Sequence, residues 1–298
     1  MKLSLCNEVL RPVGWVAQCE AAARMGYDAL EIAPFTLADD PFTLDTARAR
    51  ELHAIARGHG LAISSLHWLL VKPEGLSLVT DDAAVRQRTL DLLHQLIDFA
   101  AACDAQVLVH GSPKQRSPAP GQSVADATGR LESALAELAP HAAAAGVTYC
   151  IEPLGPFETP VINTVAEAAA LVDRIGSPAM RTMLDVSAAC HSEREPVHAV
   201  LRRFLASGHI DHVDGQVAQL GAEGGGQVVA AALDEHDVGI REIHQHAVDG
   251  LQVDRRVFTD GGVRATAGFH THDAVRVERT SHGQQALVFL GVNVVGDD

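Results

Sequence analysis

Nowhere in this chain do about 18 apolar residues follow one another, the length a helix needs to cross a bilayer, so the sequence offers no membrane span. Positive charge is also scarce. Lys and Arg number 23 against 38 Asp and Glu, a formal net charge of −15. Partners held through phosphate contacts need a basic surface, so nucleic acid is excluded as the expected ligand. The five cysteines, Cys6, Cys19, Cys103, Cys150 and Cys190, are odd in number and scattered, and yield neither a disulfide framework nor the close pairs of a structural zinc site. They are expected to be free, buried thiols. The opening residues MKLSLCNEVL lack a basic start, an apolar core and a small-residue cleavage site, which leads to the expectation of a cytoplasmic protein. Nor does a Gly-rich turn follow the first apolar run, which removes the usual dinucleotide-binding reading.

What the chain does have is 298 residues, 47% of them hydrophobic and 20% charged, enough to bury a full core in one large α/β domain. Short β-rich runs alternate with helical stretches: KLSLC, DALEIA, LAISSLH, AQVLVH, VTYCIE, MRTMLD and HIDHV. Their near-continuous apolar character is that of strands covered on both faces, as in a parallel sheet. Between them, DTARARELHAIARGHG repeats apolar residues at helical spacing and stops at Gly60, and Asp81 with Asp82 introduces the long AAVRQRTLDLLHQLIDFAAAC helix. Thr164 and Glu167 have capping-box spacing at the start of VAEAAALVDRIG, which Gly176 and Pro178 end.

A βα unit repeating every 30 to 40 residues or so fits either a barrel or an open doubly wound sheet. The polar residues decide between them. Asn7, Glu31, His67, His110, Glu152 and Asp185 stand at the ends of many different strands. Barrel enzymes assemble their sites from such ends, whereas an open sheet concentrates its site at one switch point. The expected fold is therefore a (β/α)₈ TIM barrel.

Two of those residues carry the strongest chemical signal. Glu152 in TYCIEP and Asp185 in RTMLDV end strands that are otherwise apolar, and a buried charge costs several kcal/mol unless it is paired or metal-bound. A salt bridge to an arginine such as Arg181 is the plain alternative for either alone; together at one rim they favour a cation. His67 and His110 close the third and fourth strands, where an imidazole can ligate a metal, donate to a substrate hydroxyl or act as an acid. Trp68, beside His67, either walls the pocket or packs under a loop.

The segment CIEPLGPFETPVINTVAEAAALVDRIGSPAMRTMLDVSAAC resembles the fifth and sixth strands of the sugar phosphate isomerase/epimerase family, the xylose isomerase-like TIM barrels related to tagatose epimerases and hydroxypyruvate isomerase. The resemblance implies that Glu152 is both metal ligand and acid/base residue and that Asp185 is a second ligand. It implies further that Glu158 hydrogen-bonds to a pocket partner, and that His67 and His110 line a substrate cleft for a small sugar or hydroxy-ketone. The implied cofactor is a divalent metal ion, Mn²⁺ or Mg²⁺ ahead of Zn²⁺ or Co²⁺, and a homodimer paired through barrel edges is implied as well. Proton transfer next to a carbonyl through an enediolate is the implied reaction. One departure is Ala188, where many relatives have a histidine that contacts substrate.

The resemblance covers residues 1–213, strands one to seven. Beyond it, Asp214 stands where a third metal ligand is expected, and no Glu-Pro pair occurs after Glu152 to supply the eighth-strand glutamate; Glu242 and His244 are the candidates for that strand. From Asp211 to Asp298 there is no Lys, Pro, Cys, Met, Trp or Tyr, and VFTDGGVRATAGFHTHDAVRVERTSHG lacks helical periodicity. Residues 214–298 thus form an atypical segment. It is either a frameshift or fusion that leaves the last βα unit incomplete, or a divergent closing unit with a β-rich extension. His270 and His272 in it are expected to be solvated. Two further readings stay open: an endonuclease-IV-like zinc phosphodiesterase, which needs more ligands than this chain offers, and an inactive barrel remnant that only binds a small polyol.

Overall fold

The computed structural model describes residues 4–214 and, separately, two short strands at 275–278 and 285–288. Along the first unit, Lys2–Asp214, the order is β1 (Ser4–Cys6), α1 (Trp15–Met25), β2 (Ala29–Ile32), α2 (Thr46–Gly58), β3 (Ala62–Leu66), α3 (Ala83–Ala102), β4 (Val107–His110), α4 (Pro113–Arg116), α5 (Val124–Ala145), β5 (Thr148–Ile151), α6 (Val165–Ile175), β6 (Met180–Asp185), α7 (Val186–Ser192), α8 (Val197–Ala206) and β7 (Ile210–Asp214). All seven expected strands form. Each pairs in parallel with the next in sequence, giving the order β1 to β7 without a crossover. Sequential parallel neighbours joined by helices are the arrangement of a (β/α)₈ barrel, and seven of its strands fall within the described residues. Glu242, His244, His270 and His272 lie outside them. In the second unit, β8 (Val275–Glu278) and β9 (Gln285–Val288) pair as an antiparallel ribbon.

The helix ends follow local chemistry. Asp45 Oδ1 accepts from Arg48 N at 2.7 Å and starts α2, and Asp82 Oδ1 caps α3 by accepting from Ala84 and Val85 N–H groups. The capping box at α6 is complete: Thr164 Oγ1 accepts from Glu167 N, Glu167 Oε2 accepts from Thr164 N, and Gly176 ends the helix in the left-handed region at φ 68°. With the backbone so fixed, α3 turns Leu90, Leu92, Leu93, Leu96, Ile97 and Phe99 onto the sheet and its neighbouring helices. Each such side chain contributes about 1.5–3 kcal/mol by burial.

Strands alternate, so the sheet has two buried faces. Leu30, Ile32, Leu108, Tyr149 and Ile151 belong to the helix-covered core, while Val107, Val109, Cys150 and Met183 form a separate small cluster on the other face. The cysteines are free as expected, but the thiols are not all buried: Cys190 is exposed on α7 and Cys6 is half-buried at the end of β1. Among the described residues no helix is long and apolar enough to cross a membrane.

Candidate metal centre

Continuing the face of Val109, Cys150 and Met183 by one pleat at the C-terminal strand ends brings Glu152 and Asp185 to the same side. The pairing of β6 with β7 sets Asp185 beside Asp214. From β2 and β3 come Glu31 and His67, both buried. Ligand atoms of Glu31, His67 and Asp214 all lie within 4.8 Å of one another. His67 is the hub of this group: its Nδ1 is 3.4 Å from Glu31 Oε2 and 3.6 Å from Asp214 Oδ2, and its Nε2 is 3.4 Å from Glu152 Oε2. His212, on β7, brings Nε2 to 3.7 Å from both Glu31 Oε1 and Asp214 Oδ1. Ser65 fixes Glu31 by donating to its Oε1 at 2.7 Å.

So many carboxylates in so little space perturb one another. Burial, with Glu152 and Asp214 adding like charge, pushes Asp185 up to about 7. Burial opposes a charge on His67, but Glu31 and Glu152 outweigh it and raise its pKa well above the ordinary value. His212 is raised for the same reason by Asp214 and Glu31 against its own burial. Asp214 goes the other way: burial disfavours its charge, yet the two histidines hold it below the usual carboxylate range. Arg181 does not answer this crowding, since its guanidinium donates to the carbonyls of Ser177 and Met180. The salt-bridge alternative for Glu152 and Asp185 thus finds no support in Arg181.

Glu152 has its place because Gly111 has no side chain. A Cβ on Gly111 would stand 2.3 Å from Glu152 Oε2. Trp68 takes φ 54°, a strained conformation for a large residue, and stacks on His67 with centroids 5.6 Å apart and planes 16° from parallel. Glu158 Oε2 accepts from Gly155 N at 2.9 Å, and its pKa is raised by burial.

Residues 19–254 match the sequence profile of the xylose isomerase-like TIM barrel family. The chain belongs to that family. Among relatives of this xylose isomerase-like barrel, a probable ketose 3-epimerase of Synechocystis is 24% identical over 204 residues, which cover 68% of this chain and 67% of that protein. A D-psicose 3-epimerase of Ruminiclostridium cellulolyticum is 29% identical over 169 residues, 56% of this chain and 55% of that one. The chain therefore spans little more than half the length of some of the relatives it matches. A crystal structure of D-psicose 3-epimerase in the presence of D-fructose superposes with a TM-score of 0.65 at 20% identity, covering 82% of this chain and 81% of that one. A D-allulose 3-epimerase from Methylomonas in complex with D-allulose gives 0.63 at 22% identity, covering 78% and 79%. At these identities the superpositions speak for the shared fold.

Of the residues singled out from the sequence, Glu152, Asp185, Asp214 and His67 come together at the rim of the family barrel. His110 is placed otherwise. It follows Val109 and so turns to the helix-covered face, where its Nδ1 lies 2.6 Å from Tyr149 Oη. Burial and nearby Arg116 lower its pKa to about 3, so it is neutral. Glu31 stood at a strand end in the sequence but carried no assigned role. Its signal was the one that marked Glu152, a single acid in an apolar strand. His212, two residues before Asp214 on β7, carried no assigned role in the sequence. Arg116 ends the four-residue helix α4 after β4, too short to give a periodic signal in the sequence.

Proposed function

We propose that this chain is a divalent-metal-dependent ketose epimerase that inverts a hydroxyl-bearing carbon next to the substrate carbonyl. The observation that carries the reading is the gathering of Glu31, Glu152 and Asp214 on His67 at one barrel rim, with Asp185 beside Asp214 and in the field of Glu152. It is supported by relatives whose names specify D-psicose, L-ribulose and fructoselysine as substrates of 3-epimerases, all of them 2-ketoses.

The donor set fits a hard divalent cation. Carboxylate oxygens and imidazole nitrogens suit Mn²⁺, Mg²⁺, Zn²⁺ or Co²⁺. His212 Nε2 and Asp214 Oδ2 are moreover buried without a hydrogen-bond partner, which leaves them a ligating role. Glu152, Asp185, His212 and Asp214 would hold the ion, with Glu31 and His67 around them. A bound ion supplies a Lewis acid that polarises the carbonyl and acidifies the neighbouring C–H.

Glu152 then works as the proton carrier. One of its oxygens takes the proton from the carbon next to the carbonyl, leaving an enediolate, and gives it back. His67 holds the other end of the geometry by pinning Glu152 Oε2 at 3.4 Å from its Nε2. Trp68, stacked on His67, keeps that ring in place. Inversion also needs an acid/base group on the opposite face of the substrate; Glu152 alone exchanges the proton and returns it to the face it came from. The substrate is a small polyhydroxy ketone, and the reading carries with it a cytoplasmic address and a homodimer paired through barrel edges.

Both steps can be watched at once by NMR in D₂O with the Mn²⁺-loaded chain and D-fructose, D-psicose or L-ribulose. Loss of the proton next to the carbonyl reports Glu152, and appearance of the epimer reports the second group. Glu152→Gln should abolish both. A folded, Mn²⁺-loaded wild type that neither exchanges nor epimerises any of the three, nor any anionic ketose, sinks the reading.

A further inference from the structure

The segment between β4 and α5 holds a group that the chemistry above does not use. Arg116 is fully buried, and none of its three guanidinium nitrogens has a hydrogen-bond partner. Two neighbours on the same segment share that condition: His110 Nε2 and Ser112 Oγ are buried and unpartnered. A guanidinium keeps its charge even here, since burial lowers its pKa only to about 10. Five N–H donors left without acceptors in a low-dielectric interior are costly, because each has given up its hydrogen bonds to water and gained none in return. A ligand that brings acceptors to the guanidinium would satisfy those donors.

What the ligand must offer follows from the donors. Tyr149 keeps its phenolic proton, because burial raises its pKa, and its Oη sits 2.6 Å from His110 Nδ1. With the phenol donating to Nδ1, Nε2 of the neutral imidazole carries the hydrogen. That leaves a neutral N–H donor at His110 on the helix-covered face, while the full positive charge is that of Arg116, close enough to Glu152 and Glu158 to feel both carboxylates. A planar fork of guanidinium donors is matched by a carboxylate or a phosphate, which accept two parallel hydrogen bonds, better than by a sugar hydroxyl. A cleft of about 640 Å³ is lined by Lys114 and Ser117, on either side of Arg116 in the sequence, and by Ser77, Thr80 and Glu158. Glu158 belongs to both places: it lines the cleft and lies within the field of Arg116.

We propose that Arg116 is the specificity-determining residue of this site and that it selects a ketose bearing an oxyanion, a carboxylate or a phosphate, at the end remote from the reacting carbon. This rests on the ketose epimerase reading, and it makes the preferred substrate an anionic ketose where a neutral one would otherwise be assumed.

The test is calorimetric and does not depend on turnover. D-fructose, D-fructuronate and D-fructose 6-phosphate share a skeleton and differ in the group at C6. Each is titrated into the Mn²⁺-loaded full chain, and into Arg116→Met and Arg116→Lys variants whose folding is checked by circular dichroism. One charge-assisted bidentate contact corresponds to a preference of about 10- to 100-fold. The wild type should therefore bind one of the two anions at least tenfold tighter than D-fructose, Arg116→Met should bring that ratio close to one, and Arg116→Lys should fall between. Tighter binding of the carboxylate or of the phosphate identifies which oxyanion the site takes. Equal affinities for all three ligands in the wild type, or a ratio unchanged in Arg116→Met, overturns the proposal. Proton exchange in D₂O separates this failure from that of the parent reading: a chain that exchanges the D-fructose proton but shows no anion preference is an epimerase with a structural Arg116. A chain that prefers the anions through Arg116 yet exchanges no proton has the anion subsite without the epimerase chemistry.

Discussion

Replacing Gly111 with alanine adds one methyl group at the point where the backbone after β4 meets the proposed proton carrier. The new Cβ would lie 2.3 Å from Glu152 Oε2 and 3.3 Å from Glu152 Cδ. The closest ordinary contact is near 3.4 Å, so the carboxylate has to retreat by about 1 Å. Alanine itself is not strained here, because Gly111 is not among the residues with positive φ. The clash falls on the end of a side chain and not on backbone, so the expected loss of stability is modest, about 1–3 kcal/mol. Catalysis should suffer far more, since a general base misplaced by about 1 Å costs on the order of 100-fold. The assay is proton exchange in D₂O by the Mn²⁺-loaded variant beside the wild type, with urea unfolding to show that the fold survives. A Gly111→Ala protein that exchanges at the wild-type rate refutes the claim that Glu152 acts from its position against Gly111.

Three further outcomes are expected. Asp185 is protonated up to about pH 7 in the metal-free chain; a folded pKa raised above the unfolded value means that its contribution to stability fades as pH rises from about 4 to 7, and that Mn²⁺ must displace a proton below 7. Mn²⁺ affinity should therefore climb between pH 5 and 7 and level off above about 7, and calorimetry showing a flat profile speaks against Asp185 as a ligand. His110 has the opposite sign, because its folded pKa of about 3 lies below the unfolded value. The unfolded chain binds the extra proton, so stability is lost as pH falls from about 6.5 towards 3, at up to about 1.4 kcal/mol per pH unit. His110→Phe should flatten the pH dependence by that slope in urea titrations, and an unchanged slope argues that His110 is not buried as a neutral ring. Thr164→Ala removes half of the α6 capping box and should cost about 1 kcal/mol, seen as a lower urea midpoint with unchanged slope; a midpoint equal to the wild type would show that the cap carries no net stability.

The strand order, the helix boundaries and the rim carboxylates belong to the sequence, because each follows from local rules. Near-continuous apolar runs read as buried strands, Asp82 and the Thr164–Glu167 pair act on backbone groups within four residues, and an acid such as Glu152 or Asp185 ending an apolar strand announces an unusual environment wherever it occurs. Residue-by-residue resemblance added the proposed roles of Glu152 and Asp185 on the same local ground. The grouping of Glu31 with His67 and Asp214 could not be read this way, since it joins Glu31 to Asp214, 183 residues on, through the curvature and register of the sheet. Nor could the turning of His110 towards Tyr149, which depends on which of two faces, both apolar here, looks at the helices. Arg116 is the clearest case. In the sequence it is one more arginine in a polar loop, and only the tertiary packing around it removes water and every acceptor from its guanidinium. Local propensity and pattern thus determined the elements and the acids of the site. Tertiary structure decided which of them share one space, because burial and distance between strands are properties of the assembled sheet and of no single segment.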